Sequence, residues 1–505
     1  MPHDGVSGKS ASRIAAGPGG HGETIPALTP RTPRGHQFVI YGDSCSGVPG
    51  GRHEAGFAQV THVVSCLRPR PEFILFPGDE LIGLTADMAE LRRQWAYWRA
   101  VEMAWAGREG IPVFHTTGNH TAYDNHSESV FREVLAHVPR NGPPGQEGLA
   151  YSVHHGDLLL ACVNTTWSGL GGEGRVETAW LDRTLASADV RWKIVAGHQP
   201  AFPVNGFGGS YQRELAADNA EEFWAVLVKH GVLAYVCSHI LAFDIQVHQG
   251  VLQLLSAGAG TTERMPAGVE YLHCVQAALD DKGLRYQVLD ATGTIRERLS
   301  WPPRLPVSVT WAPLGTGTAP AECRSGDGEE LEMICFRFTG IAPGPEGRAP
   351  QTLLHAWSPG PCLGPLWIGL QGAENRLCVV LSDAPEHSPH LWHGPVFESG
   401  EPFDFQLALH TSMGPGGILW RRDDDAPWSS LRAASPWGAE RLEWPQLWTV
   451  GHARDRLDDR PFRGQALRAW WHRCSGPLVG DSHESQAALG SQPRTMGSVK
   501  EMRVA

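Results

Sequence analysis

QFVIYGD (residues 37–43) returns as EFILFPGD (residues 72–79), and this pair decides the fold. Each is an apolar run of strand length closed by glycine and aspartate. Between them Phe57, Val60, Val64 and Leu67 recur at helical spacing, so a buried strand is followed by a covering helix and a second strand. The unit repeats. Leu91, Trp95, Trp98, Val101 and Trp105 lay an aromatic stripe along the next helix, which reads as core packing. IPVFHTTGNH (111–120), LLLACVNT (158–165), WKIVAGH (192–198), GVLAYVCSH (231–239) and VLQLLSAGAG (251–260) read as further strands. Before the sixth strand, Phe223, Trp224, Leu227 and Val228 mark a helix that Gly231 stops, with Lys229 at its negative end. DDKG and DATG then predict a short antiparallel meander over 275–299 that closes the domain.

Beyond Trp301 the texture changes. CFRFTG, LWIGLQG, RLCVVLSD, FDFQLALHT, GGILWRRDD, WTVGH and ALRAWWHR are short strands without intervening helices, which predicts an all-β domain, a sandwich or jelly roll. The expected organisation is a disordered leader over 1–35, an α/β domain over 36–302, a linker over 303–306, a β-sandwich over 307–474 and a disordered tail over 475–505. Net charge is −12 with no basic block, which argues against nucleic acid or an anionic membrane as partner. No run is long enough to span a membrane, and the first 35 residues lack an apolar signal core. The ten cysteines show no CxxC spacing, and Cys66, Cys162, Cys237 and Cys274 sit in apolar patterns. Reduced thiols and a cytoplasmic location are the expectation.

Asp43, Asp79, Asn119 with His120, His198 and His239 all fall at the carboxyl ends of separate buried strands. That edge of an open α/β sheet is where ligands collect. A glycine before several of these residues lets the backbone turn sharply and aim the polar side chain inward. Taken alone, His239 in CSHILAFD (237–244) reads as a core histidine; as one of a series it reads as a ligand. Oxygen and imidazole donors together suit Mn, Fe or Zn.

YGDS, PGDE, GNH, AGHQP and CSH resemble, in order and approximate spacing, the calcineurin-like metallophosphoesterases, purple acid phosphatases among them, over residues 37 to about 300. The resemblance implies two sheets flanked by helices in a four-layer α/β sandwich, with two ions about 3.5–4 Å apart and a bridging hydroxide that attacks phosphorus in line. It places one ion on Asp79, Asn119, His198 and His239, and gives His120 the role of acid toward the leaving oxygen. The other ion would use Asp43 and Asp79, but the remaining family donors are missing: Cys45 stands in place of the first motif's histidine, and Leu241 follows His239 where the second histidine belongs. The tyrosine of purple acid phosphatases is replaced by Ile82. Cys45 as thiolate, Asp244 or His248 from downstream, or weak binding through Asp43, Asp79 and water would each repair the seat.

His154-His155 reads as a hairpin turn, since consecutive strand residues face opposite ways, and His115 reads as a packed strand residue. Tyr123 to His126 line either the substrate pocket or a polar surface loop. VNGFGGSYQR (204–213) is Gly-rich enough for a flap, with Arg213 as a phosphate contact. In the β-domain, PFRG (461–464) with the strand pattern loosely resembles laminin G and concanavalin-type jelly rolls, which implies a sugar or protein ligand; Asp423 to Asp425 are either a calcium ligand set or a solvated turn. The expected function is therefore a metal-dependent phosphoric-ester hydrolase acting on a small mono- or diester, with Asn119, His120 and Arg213 toward substrate and Asp79 and His120 catalytic. The alternative is a non-catalytic protein that binds a phosphate ligand through one ion and a glycan or protein through its sandwich.

Overall fold

Strands of three to eight residues, most of them apolar runs too short for helices and rich in Val, Ile and Phe, assemble into two six-stranded sheets packed face to face in the computed structural model. The structure describes residues 24–303 apart from 212, 262, 263 and 267, together with 311–318, 333–344, 349–357, 366–382, 389–410, 412–413, 417–436, 440–441, 447–452, 461–465 and 467–474. The strands of the first part are β1 His36–Ile40, β2 Phe73–Phe76, β3 Val113–His115, β4 Tyr151–His155, β5 Leu158–Cys162, β6 Trp192–Ala196, β7 Ala234–Cys237, β8 Phe243–His248, β9 Val251–Ser256, β10 His273–Asp280, β11 Gly283–Asp290 and β12 Ile295–Trp301. One sheet runs β12-β11-β10-β1-β2-β3 and the other β8-β9-β7-β6-β5-β4. The β1–β2–β3 and β5–β6–β7 ladders are parallel, so their carboxyl ends share one edge. β8 is a strand that the apolar patterning does not disclose. It begins four residues after His239 and pairs with β9.

The parallel strands are covered on both faces, which is why they read as unbroken apolar runs, whereas edge strand β12 (IRERLSW) alternates. Phe38, Ile40, Tyr151, Leu160, Ile194 and Leu254 join one core between the sheets. Helices α1 (Glu54–Cys66), α2 (Met88–Tyr97) and, after the short α3 (Ala104–Arg108), α4 (Asn125–Val134) add Phe57, Trp95 and Phe131 to that core. Trp180 of α5 (Thr178–Ser187) and Phe223 of α6 (Ala217–Lys229) cover the outer face of the second sheet. The order helix, sheet, sheet, helix is the expected four-layer α/β arrangement. The aromatic stripe is broken where the sequence predicts continuity. Leu91, Trp95 and Trp98 are buried, but a π-helical turn at Trp98–Glu102 inserts an extra residue into the register and leaves Val101 55 % exposed.

The expected leader over 1–35 needs correction from residue 24 onward; residues 1–23 lie outside the described ones. Ile25–Pro26 pairs with Leu67–Arg68, Leu28 is buried with its backbone held by the Gln276 side chain at 2.7 and 3.0 Å, and Arg31 pairs with Asp280 at 3.1 Å. A segment of low apolar content is ordered here because its backbone groups meet buried partners on β10, which local composition does not record. The predicted tail and most of the predicted linker lie outside the described residues. Just before the linker, buried Trp301 closes the meander by donating from Nε1 to the Leu233 carbonyl at 3.0 Å.

The remaining described residues form two antiparallel sheets, of six and seven strands, around a second core with Phe338 and Phe405 stacked inside it, and Ser412–Met413 pairs with Glu440–Arg441 in a small third sheet. Gln351–Trp357 and His390–Val396 are strands in addition to those read from the sequence. Asp423 and Asp424 form the turn rather than a ligand cluster: Asp423 Oδ1 accepts the Asp425 and Ala426 backbone N–H groups, and Asp424 pairs with Arg421 at 3.1 Å. This domain covers the open edge of β8, where Val247 and Gln249 donate backbone N–H to Ser430 and Ser429 Oγ and Gly250 to the Trp428 carbonyl.

Beneath this junction Asp244 is buried, with Oδ2 accepting from Gln246 at 2.8 Å, and burial pushes its carboxyl up to about 7 from 3.8. Because the folded value is the higher one, its contribution to stability is full below about pH 4 and is lost as pH rises through 7. Asp244→Asn is expected to raise Tm at pH 8 and to change it little at pH 4. Thermal melts at the two pH values check this, and an equal shift at both would refute it.

Candidate metal centre

The shared edge of the two sheets gathers the polar residues that follow each parallel strand. Asp43, Asp79 and Asn119 arrive from β1, β2 and β3, and His198 and His239 from β6 and β7. Their loops are laced together, with Asp43 N–H on the Gly78 carbonyl at 3.1 Å, Cys45 N–H on the Asp79 carbonyl at 2.8 Å and Ser238 N–H on the His198 carbonyl at 2.8 Å. Asp43, Cys45, Asp79 and His239 all hold φ between 40° and 69°, the left-handed region that costs a residue with a Cβ about 1–3 kcal/mol. Four such residues on one edge mark a place where side-chain direction has been set against backbone preference.

His198 Nδ1 donates to the Pro77 carbonyl at 2.8 Å, which turns Nε2 into the cluster. Around Nε2 stand Asn119 Oδ1 at 3.1 Å, His239 Nδ1 at 3.0 Å and Asp79 Oδ2 at 3.2 Å, and His239 Nε2 is buried without a partner. Three electron-pair donors around a fourth cannot all be satisfied by one proton. A divalent cation satisfies the whole set, so these residues fit a metal ion, and the O,N donor mix suits Mn, Fe or Zn. The electrostatics agree. Burial opposes charge on His198, yet Asp79 and Asp43 hold its pKa up at about 9. Burial would raise Asp79 too, but the imidazoles of His198, His120 and His239 drive it far below the usual carboxylate range. Burial and then His198 keep His239 well below 6.5. The two carboxylates thus favour a positive charge at His198.

Of the residues read from the sequence, Asp79, Asn119, His198 and His239 meet in this cluster. Asp43 stands beside it with Oδ2 occupied by the His239 backbone N–H at 2.9 Å and the Ser238 hydroxyl. Its pKa rises to about 6, from burial and then Asp79. Cys45, Asp79 and His120 form a second triad whose ligand atoms lie within 4.8 Å of one another. Burial, then Asp79 and Asp43, push the Cys45 thiol well up. Leu241 packs into the apolar cluster with Ile240 and Ala242.

Neither Asp244 nor His248 reaches the neighbouring seat. Asp244 bonds Gln246, and His248 stacks on Phe202 with ring centroids 3.7 Å apart, because β8 carries both away along the sheet edge. His120 donates its backbone N–H to Asp79 Oδ1 at 2.8 Å and its Nδ1–H to the carbonyl of Ile82 at 2.7 Å, so Ile82 holds the imidazole through its main chain.

Tyr123 and Asp124 lead into α4, which Asn125 and His126 begin: Asp124 caps the helix through Ser127, and the Tyr123 hydroxyl bonds the Thr85 carbonyl. Arg213 is exposed, 5.7 Å over the Tyr211 ring, whose hydroxyl donates to the His239 carbonyl at 3.3 Å. The loop they share is anchored at Asn205, which donates to the Leu431 carbonyl and accepts from the Ala433 N–H of the second domain. Sequence reasoning missed Ser238 and Glu80. The residue beside each ligand was the available signal: Glu80 follows Asp79, is fully buried and bonds His115 Nδ1 at 2.7 Å, giving that strand histidine a partner as well as a packing site.

Residues 36–243 match the calcineurin-like phosphoesterase family. The match spans every residue of the cluster. The likeness is thus to a calcineurin-like phosphoesterase domain, within residues 36–243. Tartrate-resistant acid phosphatase type 5 of Oryctolagus cuniculus is 26 % identical over 255 residues, covering 44 % of this chain and 72 % of its own. Among solved structures, a dimetal phosphatase from Danio rerio is similar at TM-score 0.38 and 16 % identity, over 51 % of this chain and 96 % of its own. GAP50, the anchor in the inner membrane complex of Plasmodium, is similar at TM-score 0.39 and 14 % identity, over 53 % of this chain and 88 % of its own. No helix among the described residues is long and apolar enough to cross a membrane.

Proposed function

We propose that this chain is a phosphoric-ester hydrolase whose calcineurin-like domain cleaves a small phosphomonoester or phosphodiester. The observation that carries the reading is the convergence of Asn119, Asp79 and His239 on His198 Nε2. Asp79, Asn119, His198 and His239 would hold one divalent ion; Asp43, Asp79 and Cys45 would hold a second. A bound ion supplies Lewis acidity toward a phosphoryl oxygen and lowers the pKa of a water. The chain's own residues do the rest. Pro77 fixes the His198 tautomer, Ile82 fixes His120, and His120 protonates the leaving oxygen or steadies its developing charge. Arg213, over Tyr211, would meet a substrate phosphate. The C-terminal β-domain is read as a laminin G or concanavalin-like jelly roll with a carbohydrate or protein ligand.

A second reading, a non-catalytic phosphate-binding protein, is favoured by Leu241, which is buried in an apolar cluster and offers no donor to the neighbouring seat. One experiment separates them. Metal content per chain and hydrolysis of aryl phosphate mono- and diesters with added manganese are measured for wild type, Asn119→Ala and His120→Ala. Hydrolysis in wild type that falls about 10²-fold or more in both variants is expected, with metal lost only in Asn119→Ala. Bound metal without turnover in wild type would establish the second reading.

A further inference from the structure

His36, Glu72 and His155 each offer a ligand atom within 4.8 Å of the other two, at the end of the strands opposite the candidate centre. We propose that they form a separate zinc-type cation site, oriented by Asp157, that ties the two sheets together. Glu72 Oε2 lies 3.5 Å from His36 Nδ1 and 2.9 Å from His155 Nε2. Ligands about 2.0–2.2 Å from a tetrahedral zinc are about 3.3–3.5 Å from one another, so small shifts admit the ion. His36 Nε2 stands 2.9 Å from Asp157 Oδ1. A proton shared there leaves Nδ1 as the lone pair aimed at Glu72, which is the carboxylate–histidine–metal relay that orients bound imidazoles.

The site is built by the tertiary fold. His36 begins β1, Glu72 precedes β2, His155 ends β4, and Asp157 lies in the turn after it. Gly156 in that turn has φ of 63°, and a Cβ on it would lie 2.9 Å from His36 Cε1, so glycine lets the imidazole lie against the turn. Phe73 packs its ring edge-on to His155 at 5.2 Å, which restrains the ligand rotamer. Entry from solvent is open, since the side chains of Glu72 and His155 are 42 % and 21 % exposed while that of His36 is 6 %. His36 and Glu72 head the strands that carry Asp43 and Asp79 at their other ends, and an ion here would fix them to the opposite sheet.

The test uses the full chain in an Asn119→Ala background, which removes the ion on Asp79, Asn119, His198 and His239, and reads the zinc that His155→Gln removes beyond it. Zinc per chain after chelation and reloading, and the rise in Tm on adding zinc, are measured with and without His155→Gln. Loss of one zinc equivalent and of the zinc-dependent rise in Tm in His155→Gln is expected. Zinc content unchanged by His155→Gln, or no bound zinc in the Asn119→Ala parent, would overturn the proposal. Glu72→Gln, which removes an exposed carboxylate, should give the same loss and serves where His155→Gln does not fold. Because both arms carry the same altered centre, failure here leaves the phosphoesterase reading untouched.

Discussion

Asp79→Asn is expected to strip the candidate centre of metal and to lower aryl phosphate hydrolysis by at least about 10²–10³-fold, with the fold retained. The change is isosteric, so cavity formation does not enter. Its effect comes from replacing one carboxylate oxygen by an amide NH₂ in a position where both oxygens are engaged. Oδ1 accepts the His120 N–H at 2.8 Å and Oδ2 faces His198 Nε2 at 3.2 Å. If the NH₂ turns toward His120, two donors collide; if it turns toward His198, the cation loses an anionic ligand. Neither rotamer restores the native set. Metal content, turnover and a far-UV spectrum on one preparation check the prediction, and retained metal with near-native turnover would remove Asp79 from the centre.

Gly118→Ala is expected to be nearly as damaging although it adds only a methyl group. A Cβ at this position would sit 2.1 Å from Asp79 Oδ1 and 2.5 Å from its backbone nitrogen. Those atoms cannot yield cheaply, because Asp79 already occupies a left-handed conformation and binds His120. Overpacking of this kind costs about 1–3 kcal/mol. Displacing a catalytic group by about 1 Å can cost ~10²-fold in rate. Gly107→Ala in α3 is the control: nothing lies within 4 Å of its added methyl, and replacing a helical glycine is expected to be neutral or to stabilise by up to about 1 kcal/mol. Denaturant midpoints and kcat for the two variants should therefore move apart. Comparable kcat values would show that the Asp79 loop adapts.

His239 shows how much of the centre was legible before folding. In CSHILAFD the imidazole is surrounded by apolar residues and looks like core, and it is indeed buried. Its position after a strand, in series with Asp43, Asp79, Asn119 and His198, was the readable signal. Each strand places its last polar residue at the same edge, so strand order plus spacing carries the cluster. Asp244 and His248 show the limit. They lie close to His239 in sequence, but β8 runs along the sheet and takes them elsewhere. His155 shows the converse. Its sequence reads as a turn beside His154, yet it ends β4, and only packing of one sheet on the other brings Glu72 and His36 to it.

What this sequence determined by itself was whatever repeats with local period: the apolar runs, the helical stripes, the change to uninterrupted strands after Trp301, and a polar residue at the end of each parallel strand. What only the tertiary structure decided were relations between segments far apart in the chain. These are the π-turn that exposes Val101, the ordering of residues 24–35 on β10, the covering of β8 by the second domain and the two-sheet cluster at His155. The physical reason is that backbone propensity and burial periodicity act over a few residues, whereas a metal-type donor set is defined by distances of about 3 Å between strands whose separation in the chain sets no distance at all.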